Sequence, residues 1–210
     1  TPELAEKINN AQKLTEIEDI YRPYRPKRRT RATIAKEKGL EPLADIVFAQ
    51  DLYEGNIDNI CKDFLNLEQN VLTTEDALAG AMDIIAEAIS DNADYRKFIR
   101  EYTLLNGIIS SKTTEQEETE KNRDVYQMYH DFSEPLVKIA PHRTLALNRG
   151  EKEGFLTIRI DVEFEGIEDY LTNQLIAKKR SITSEYVQLA AEDAYKRLIE
   201  PSIENEIRNL

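Results

Sequence analysis

The stretch TTEDALAGAMDIIAEAIS at residues 73–90 carries the helix signal that decides the fold. Thr73 or Thr74 is a preferred N-cap residue, because its hydroxyl accepts from the free backbone N–H groups of a first turn. Apolar residues recur at spacings of three and four and predict a helix over residues 75–90. Its predicted buried stripe is Leu78, Ala81, Ile85, Ala88 and Ile89. Small residues between positions 77 and 81 should let another helix approach closely.

Helical signals extend outward from this stretch in both directions. The predicted helices cover residues 2–20, 57–69, 92–103, 167–179 and 185–209. The predicted inner face of the last helix is Tyr186, Leu189, Ala190, Ala194 and Leu198. Pro201 must kink or interrupt that helix, because proline has no backbone N–H to donate. The predicted fold class is therefore mainly α and multihelical.

Strand signals are confined to the second half. Ile108-Ile109 is a short candidate strand, and strands are also predicted at residues 145–147 and 155–163, joined by the turn-rich residues 149–154. Strict alternation predicts that Leu156, Ile158, Ile160 and Val162 are buried on one face. We therefore expect residues 135–162 to form a small β-hairpin.

A polar stretch at residues 112–124 is either a linker or a solvated helix. It suggests a helical N-terminal region over residues 1–112 and a mixed region over residues 113–210, although one continuous unit is an open alternative. The chain begins with Thr1 and ends within a predicted helix. These ends lead us to expect a piece of a longer protein.

Charge is distributed very unevenly. Residues 22–38 carry eight basic residues against one acid, Glu37, for a net charge of +7. Because the whole chain has a net charge of −12, the remaining residues carry −19. The single cysteine, Cys61, excludes an internal disulfide. Neither a leader nor a membrane-spanning run is evident. These features predict a soluble, cytoplasmic protein.

The basic segment, residues 22–38, is the main candidate site. Its predicted nucleic-acid-binding residues are Arg22, Tyr24, Arg25, Lys27, Arg28, Arg29, Arg31, Lys36 and Lys38. Cations contact phosphates, and Tyr21 and Tyr24 are available to stack on exposed bases. Pro23 and Pro26 disfavour helical angles in the residue before each of them, so we expect residues 21–26 to be extended. Alternatively, these cations pair with the large acidic surplus of the same protein or of an acidic partner.

Residues 31–50 have the outline of a helix-turn-helix. Thr30 or Thr33 caps a short helix that runs to Lys38, Gly39 forms the turn, and Pro42 opens a second helix. The inward residues of that second helix are Leu43, Ile46 and Val47. A base-reading unit needs donors there, but its exposed side offers Asp45 and Gln50 and no basic residue. We interpret the motif as architectural.

No other constellation predicts chemistry. His142 and Arg143, with Arg149 and Lys152, form a possible second anion patch, but we expect His142 and Arg143 to be structural. The two histidines share no metal-ligand spacing, and pairs such as Asp124 and Asp131 arise freely among 40 acidic residues. Phosphate-cradling glycine loops and nucleophile elbows are missing from the sequence. We expect no enzyme activity, no metal and no cofactor.

Five motifs resemble the bacterial Tex family of transcription accessory proteins, and they occur in family order. They are YRPYRPKRRTRATIA at residues 21–35, GLEPLA at 39–44, DALAGA at 76–81, PHRTLALNRG at 141–150 and DAYKRLIEPSIE at 193–204. The resemblance implies the N-terminal helical region of a multidomain protein. A ribonuclease-H-like domain, helix-hairpin-helix units and an OB-type RNA-binding domain would follow it.

The resemblance also implies association with transcription and RNA metabolism, and part of a eukaryotic elongation factor is similar. The family is not identified with an enzyme activity. Two hypotheses follow. The first is a nucleic-acid-associated module that contacts RNA or DNA weakly and without reading sequence. The second is a docking scaffold for an acidic protein, the transcription machinery or later domains of the same chain.

Overall fold

The computed structural model describes residues 2–26, 28–114, 125–176 and 180–209. The α-helices are α1 (Pro2–Asn10), α2 (Leu14–Tyr21), α3 (Arg31–Glu37), α4 (Glu41–Ala49), α5 (Ile57–Cys61), α6 (Thr74–Ser90), α7 (Ala93–Asn106), α8 (Pro141–Lys152), α9 (Glu165–Leu175), α10 (Ser184–Asp193) and α11 (Glu200–Arg208). The strands are β1 (Ile108–Thr113), β2 (Asp131–Pro135) and β3 (Leu156–Asp161). The mainly α class with a small sheet in the second half is confirmed.

The chain divides into two compact units, each built from two stretches of sequence. Unit 1 comprises Thr1–Lys97 and Glu168–Glu200, and unit 2 comprises Phe98–Ile167 and Pro201–Leu210. The sequence-based division between residues 112 and 113 stays a prediction, and both residues lie in β1. Among the described residues, no helix is long and apolar enough to cross a membrane.

Helix α6 forms the centre of unit 1, as its sequence predicts. Thr73 is its N-cap and forms a capping box with Asp76. Helices α3, α4 and α10 pack on it, burying a wider face than the predicted stripe, and Ala88 on that stripe is exposed. Gly80 confirms the close approach, because a Cβ there would overlap Leu40 Cδ1 and lie 3.3 Å from Ala35 Cβ.

Unit 1 contains a buried ion pair and a buried thiol. Arg96 Nε on α7 donates to Asp19 Oδ1 on α2 at 2.6 Å, and the two side chains are 0% and 5% exposed. Cys61 at the end of α5 is buried, and burial raises the pKa of its thiol.

The sheet of unit 2 is antiparallel, with strand order β2-β1-β3. In β3, Leu156, Ile158 and Ile160 are buried while Thr157, Arg159 and Asp161 are exposed, as the alternation predicts. Helix α8 packs against β3. In the same unit, Arg100 donates to Glu206 Oε2 through Nε and Nη2 at 2.9 and 2.8 Å.

The predicted hairpin over residues 135–162 is wrong. Residues 145–147 lie inside α8, which starts at Pro141, and the strand that pairs with β3 is β1. Gly150 is a helical residue of α8 and not part of a turn. Its glycine is required by packing, because a Cβ there would lie 2.6 Å from Leu156 Cδ1. Val162 lies outside β3 and is half-buried.

Two predicted helices are shorter than expected. The helix over residues 2–20 is divided into α1 and α2, because Lys13 is extended and Glu16 accepts from the backbone N–H of Gln12 at 2.8 Å. The helix over residues 57–69 ends with a 3₁₀ turn at Lys62–Phe64. A tight turn follows, in which Asn66 and Val71 pair through their backbones and Asn70 has φ +55.

The last predicted helix is interrupted before Pro201, as expected. Residues Ala194–Ile199 form a π-helical stretch between α10 and α11. A π-helical stretch is rare and occurs mostly as a single turn inside an α-helix. The predicted inner face was partly wrong, since Leu189 is exposed and Val187 and Tyr195 are buried. The end of the predicted helix over residues 167–179 and most of the polar stretch at 112–124 lie outside the described residues.

Candidate nucleic-acid interface

The basic segment begins directly after α2. Residues Arg22–Tyr24 form a 3₁₀ turn, so the expectation of an extended chain over residues 21–26 is wrong for this part. Arg22 takes helical angles although it precedes Pro23, and its Nε lies 3.4 Å from Asp91 Oδ1. Arg25, which precedes Pro26, is extended as predicted, with φ −67 and ψ 135.

Helix α3 is fixed at both ends. Thr30 is the N-cap, and its Oγ1 accepts from the Thr33 backbone N–H at 3.0 Å. Thr33 Oγ1 in turn accepts from the Thr30 backbone N–H at 2.7 Å, which completes a capping box. At the other end Gly39 has φ +80, a conformation that glycine adopts without strain. Buried Ala32 and Ala35 anchor the helix from its inner side.

The α3–turn–α4 arrangement confirms the predicted helix-turn-helix outline. Pro42 lies in the first turn of α4, and Leu43 and Val47 are fully buried, while Ile46 is half-buried. The prediction that Gln50 lies on the exposed side of α4 was wrong. Gln50 is 3% exposed, donates to the Leu175 carbonyl at 2.8 Å and accepts from Ser184 Oγ. Asp45 is exposed, and it cannot donate to a base as a carboxylate.

Four arginines of the basic segment are exposed: Arg25, Arg28, Arg29 and Arg31. Arg29 Nη2 lies 3.8 Å from Glu37 Oε2, but both side chains are largely exposed, at 74% and 63%. An ion pair of this kind in water contributes little to stability. In the described part of the chain, no carboxylate lies within ion-pair distance of Arg25, Arg28 or Arg31.

The other predicted cations are more constrained. Arg22 is half-buried beside Asp91. Lys36 Nζ lies 2.9 Å from Glu41 Oε1, and Lys38 Nζ donates to the Asn70 carbonyl at 3.1 Å. Lys27 lies outside the described residues. The segment therefore has four exposed arginines, Arg25, Arg28, Arg29 and Arg31, and flanking cations with contacts inside the chain.

Tyr21 and Tyr24 flank Arg22 and are both exposed, at 47% and 59%. Their rings are next to the exposed arginines in sequence and reach solvent. An aromatic ring beside cations is the arrangement that holds single-stranded nucleic acids, because bases stack on the ring while phosphates meet the charges.

An acidic network that no sequence pattern indicates lies close enough to Arg31 to interact with its charge. Asp83 on α6 lies 3.0 Å from Arg197 Nη2, and Arg197 also binds Asp193. Burial raises the pKa of Asp83, while the charges of Arg197 and Arg31 oppose that rise. The charge of Arg31 is therefore partly balanced from within the chain. Asp83 and Arg197 are 114 residues apart, and no local pattern links them.

The second predicted patch is divided. Arg143 Nη1 on α8 lies 2.8 Å from Glu134 Oε2 on β2, which gives Arg143 the structural role that we expected. This ion pair joins α8 to β2. His142 is exposed in the first turn of α8. Arg149 pairs with Glu153 one turn later at 2.7 Å. No three His, Cys, Asp or Glu side chains are gathered for a metal among the described residues.

Comparison with known proteins gives the family. The family model described as Tex central region-like matches residues 56–209, which is most of the chain. The chain belongs to the Tex family. The match is to the central region of these proteins, and it includes α5 to α11 and the whole sheet.

Relatives of this Tex-family chain are much longer than the chain itself. It is 44% identical over 208 residues to the protein YdcI of Bacillus subtilis, covering 99% of this chain and 29% of YdcI. It is 35% identical over 158 residues to the transcriptional accessory protein Tex of Neisseria gonorrhoeae, covering 75% and 20%. It is 26% identical over 211 residues to the human S1 RNA-binding domain-containing protein 1, covering 95% and 21%. The chain therefore corresponds to less than a third of each relative.

Proposed function

We propose that this chain is a non-catalytic, nucleic-acid-associated part of a Tex-family transcription accessory protein. The exposed arginines Arg25, Arg28, Arg29 and Arg31 contact backbone phosphates without reading bases. Their exposure beside a fixed helix supports the proposal most directly. The names of the gonococcal and human relatives refer to transcription and to RNA binding, which agrees with this role.

The lack of sequence reading follows from α4. In the second helix of a helix-turn-helix, base contacts need side-chain donors that face the groove. Here Gln50 is buried against Leu175 and Ser184, and Asp45 is acidic. Phosphate contact alone carries no sequence information. We therefore expect affinities that are nearly equal for strands of different sequence and equal length.

Salt dependence tests the phosphate contacts. If about four cations meet the phosphates of a single strand, the slope of log K against log salt is roughly −3, at about −0.7 per phosphate. The affinity at physiological salt is on the order of 10⁻⁴–10⁻⁶ M, and the acidic remainder favours the weaker end. A fluorescence titration at several salt concentrations measures both quantities.

A quadruple variant tests the residues. Changing Arg25, Arg28, Arg29 and Arg31 to alanine should remove most of the binding and leave the helical content unchanged, because all four side chains are exposed. A matched control removes four exposed cations elsewhere, Lys62, Lys97, Arg149 and Lys196, and so changes the net charge equally. Binding that ignored salt, or that fell equally in both variants, would reject phosphate contact by the basic segment.

The docking alternative is favoured by one observation, the half-buried Arg22–Asp91 pair. It shows that a cation of the segment can serve the fold. If the quadruple variant lost helicity together with binding, the arginines would be holding the structure, and docking within the protein would replace phosphate contact as the proposed role.

A variant of Tyr24 tests whether the chain distinguishes single-stranded from double-stranded nucleic acid. Base stacking on an aromatic side chain contributes about 1–3 kcal/mol per base, and a paired duplex offers no free base face. Tyr24→Ala should therefore weaken binding of a single strand by at least about fivefold and leave duplex binding unchanged, in the same titration. An equal loss for both would assign Tyr24 a structural role.

A further inference from the structure

An apolar groove lies in unit 2. Its volume is about 430 Å³, and its walls include Leu104, Leu136, Ile139, Leu145, Ile160 and Ile207. These side chains come from α7, the segment between β2 and α8, α8, β3 and α11. Three different kinds of element thus line one apolar concavity, a shape that accepts a helix or a compact apolar side-chain cluster.

Part of the apolar lining of the groove is accessible to solvent. Leu145, which lines the groove, is 70% exposed on α8, and the lining side chains of Leu104, Leu136 and Ile139 are half-buried. A single exposed leucine is ordinary, but an exposed leucine that lines a groove together with half-buried apolar side chains marks an interaction surface. Arg208 of α11 also lines the groove, and its charge is already paired. The guanidinium of Arg208 binds Asn148 and Glu151 of the same unit.

The charge at the edge of the groove limits what can bind it. Lys138 and His142 are exposed next to the lining residues Ile139 and Pro141. Arg143 is occupied by Glu134. A segment with apolar residues on one side and a carboxylate at its margin would match this edge, because the apolar face fills the groove and the carboxylate meets Lys138.

We propose that this groove binds an amphipathic helix from the part of the full-length Tex-family protein that lies outside residues 1–210. The relatives support an occupant within the same chain, since this chain spans 29% of YdcI and 21% of the human relative. Most of each relative is therefore chain that this structure does not contain. The proposal concerns unit 2 and is independent of the basic segment.

Cysteine labelling tests the proposal. Leu145→Cys is made both in residues 1–210 and in the full-length protein, and modification by a thiol reagent is followed at that site by peptide mass spectrometry. We expect modification at least tenfold slower in the full-length protein. Leu67→Cys is the matched control, because Leu67 is 81% exposed in unit 1 and should react equally in both proteins. Equal rates at position 145 would overturn the proposal.

A second variant identifies the groove as the cause of the protection. In the full-length protein, adding Ile139→Asp in the half-buried wall of the groove should restore the reactivity of Leu145→Cys, whereas adding Leu67→Asp should not. Protection of Leu145→Cys that failed to respond to Ile139→Asp would reject an occupant in this groove. Protection of Leu145→Cys in residues 1–210 that grew with concentration would reject it in favour of a second copy.

Discussion

Arginines occur in two contrasting settings in this chain. Arg96 and Arg100 on α7 are buried, and each is held by a carboxylate, Asp19 and Glu206 respectively, that is distant in sequence. Arg25, Arg28, Arg29 and Arg31 are exposed, and among the described residues the one ion pair that they form is the solvated contact of Arg29 with Glu37. The same side chain therefore serves the fold in one region and stays available to a ligand in the other.

The difference lies in what surrounds each guanidinium. A buried charge is tolerated only when a partner neutralises it and accepts its hydrogen bonds. An arginine in water has no such requirement, and a carboxylate near it is screened. A basic cluster thus indicates a binding surface only where the partners are missing, and the predictions below test that distinction.

Arg96→Ala should have the largest effect. It leaves the Asp19 carboxylate buried without its cation, and breaking such a pair costs about 3–5 kcal/mol. Urea unfolding of the variant measures the loss in the free energy of unfolding. Arg29→Ala is the control and should change it by less than about 1 kcal/mol, because its pair with Glu37 is exposed. Similar losses in the two variants would remove the contrast between the regions.

Gly80→Val tests how the exposed arginines are held. A side chain at this position overlaps Leu40 and meets Ala35 of α3, and overpacking of this kind costs about 1–3 kcal/mol. Nucleic-acid binding should weaken although every cation is retained, because α3 carries Arg31 and is displaced from α6. Ala79→Val on the exposed side of the same helix is the control. If it weakened binding as much, α3 packing would not be the cause.

Thr30→Ala should have a smaller effect. Loss of an N-cap hydroxyl costs about 1 kcal/mol, and Thr30 and Thr33 cap each other here. Hydrogen exchange of the first α3 amides should accelerate, while exchange in α6, which has its own capping box at Thr73, stays unchanged. Thr30→Ser keeps the hydroxyl and should behave as the natural chain. Faster exchange in the serine variant would point to the methyl group instead.

Glu37→Ala should have the smallest effect. Glu37 is the one acid between residues 22 and 38, and its contact with Arg29 is exposed. The free energy of unfolding should change by no more than about 0.5 kcal/mol. Binding of a single strand should strengthen by about twofold, since a repulsive charge near the phosphates is removed. Weaker binding would show that Glu37 positions Arg29 for the ligand.

Local signals predicted much of this fold. The capped α6, the short α3 with its glycine turn and the alternating β3 each have their determinants within a few residues. Residues 141–152 were mistaken for part of a hairpin because Gly150 resembles a turn residue. Its small size is instead needed where α8 meets Leu156, a contact that only the tertiary structure reveals.

The candidate site was predictable as a cluster and not as a set of contacts. Eight basic residues within 22–38 are visible in the sequence. Which of them are occupied depends on Asp91, Glu41 and the Asn70 carbonyl, and those partners are brought near by folding. Gln50 shows the same limit, because its left-handed backbone and its bonds to Leu175 and Ser184 take a helix-end residue out of solvent.

The reactivity of the buried Cys61 thiol reports local opening of unit 1. A thiol reagent attacks the thiolate, and burial both hides this sulfur and raises its pKa. Modification therefore requires the helices around α5 to separate, and when reclosing is faster than attack, its rate reports the equilibrium population of the open state. The rate of thiol modification in the natural chain thus measures this local opening without any introduced label, on a timescale of minutes to hours that exchange experiments also reach.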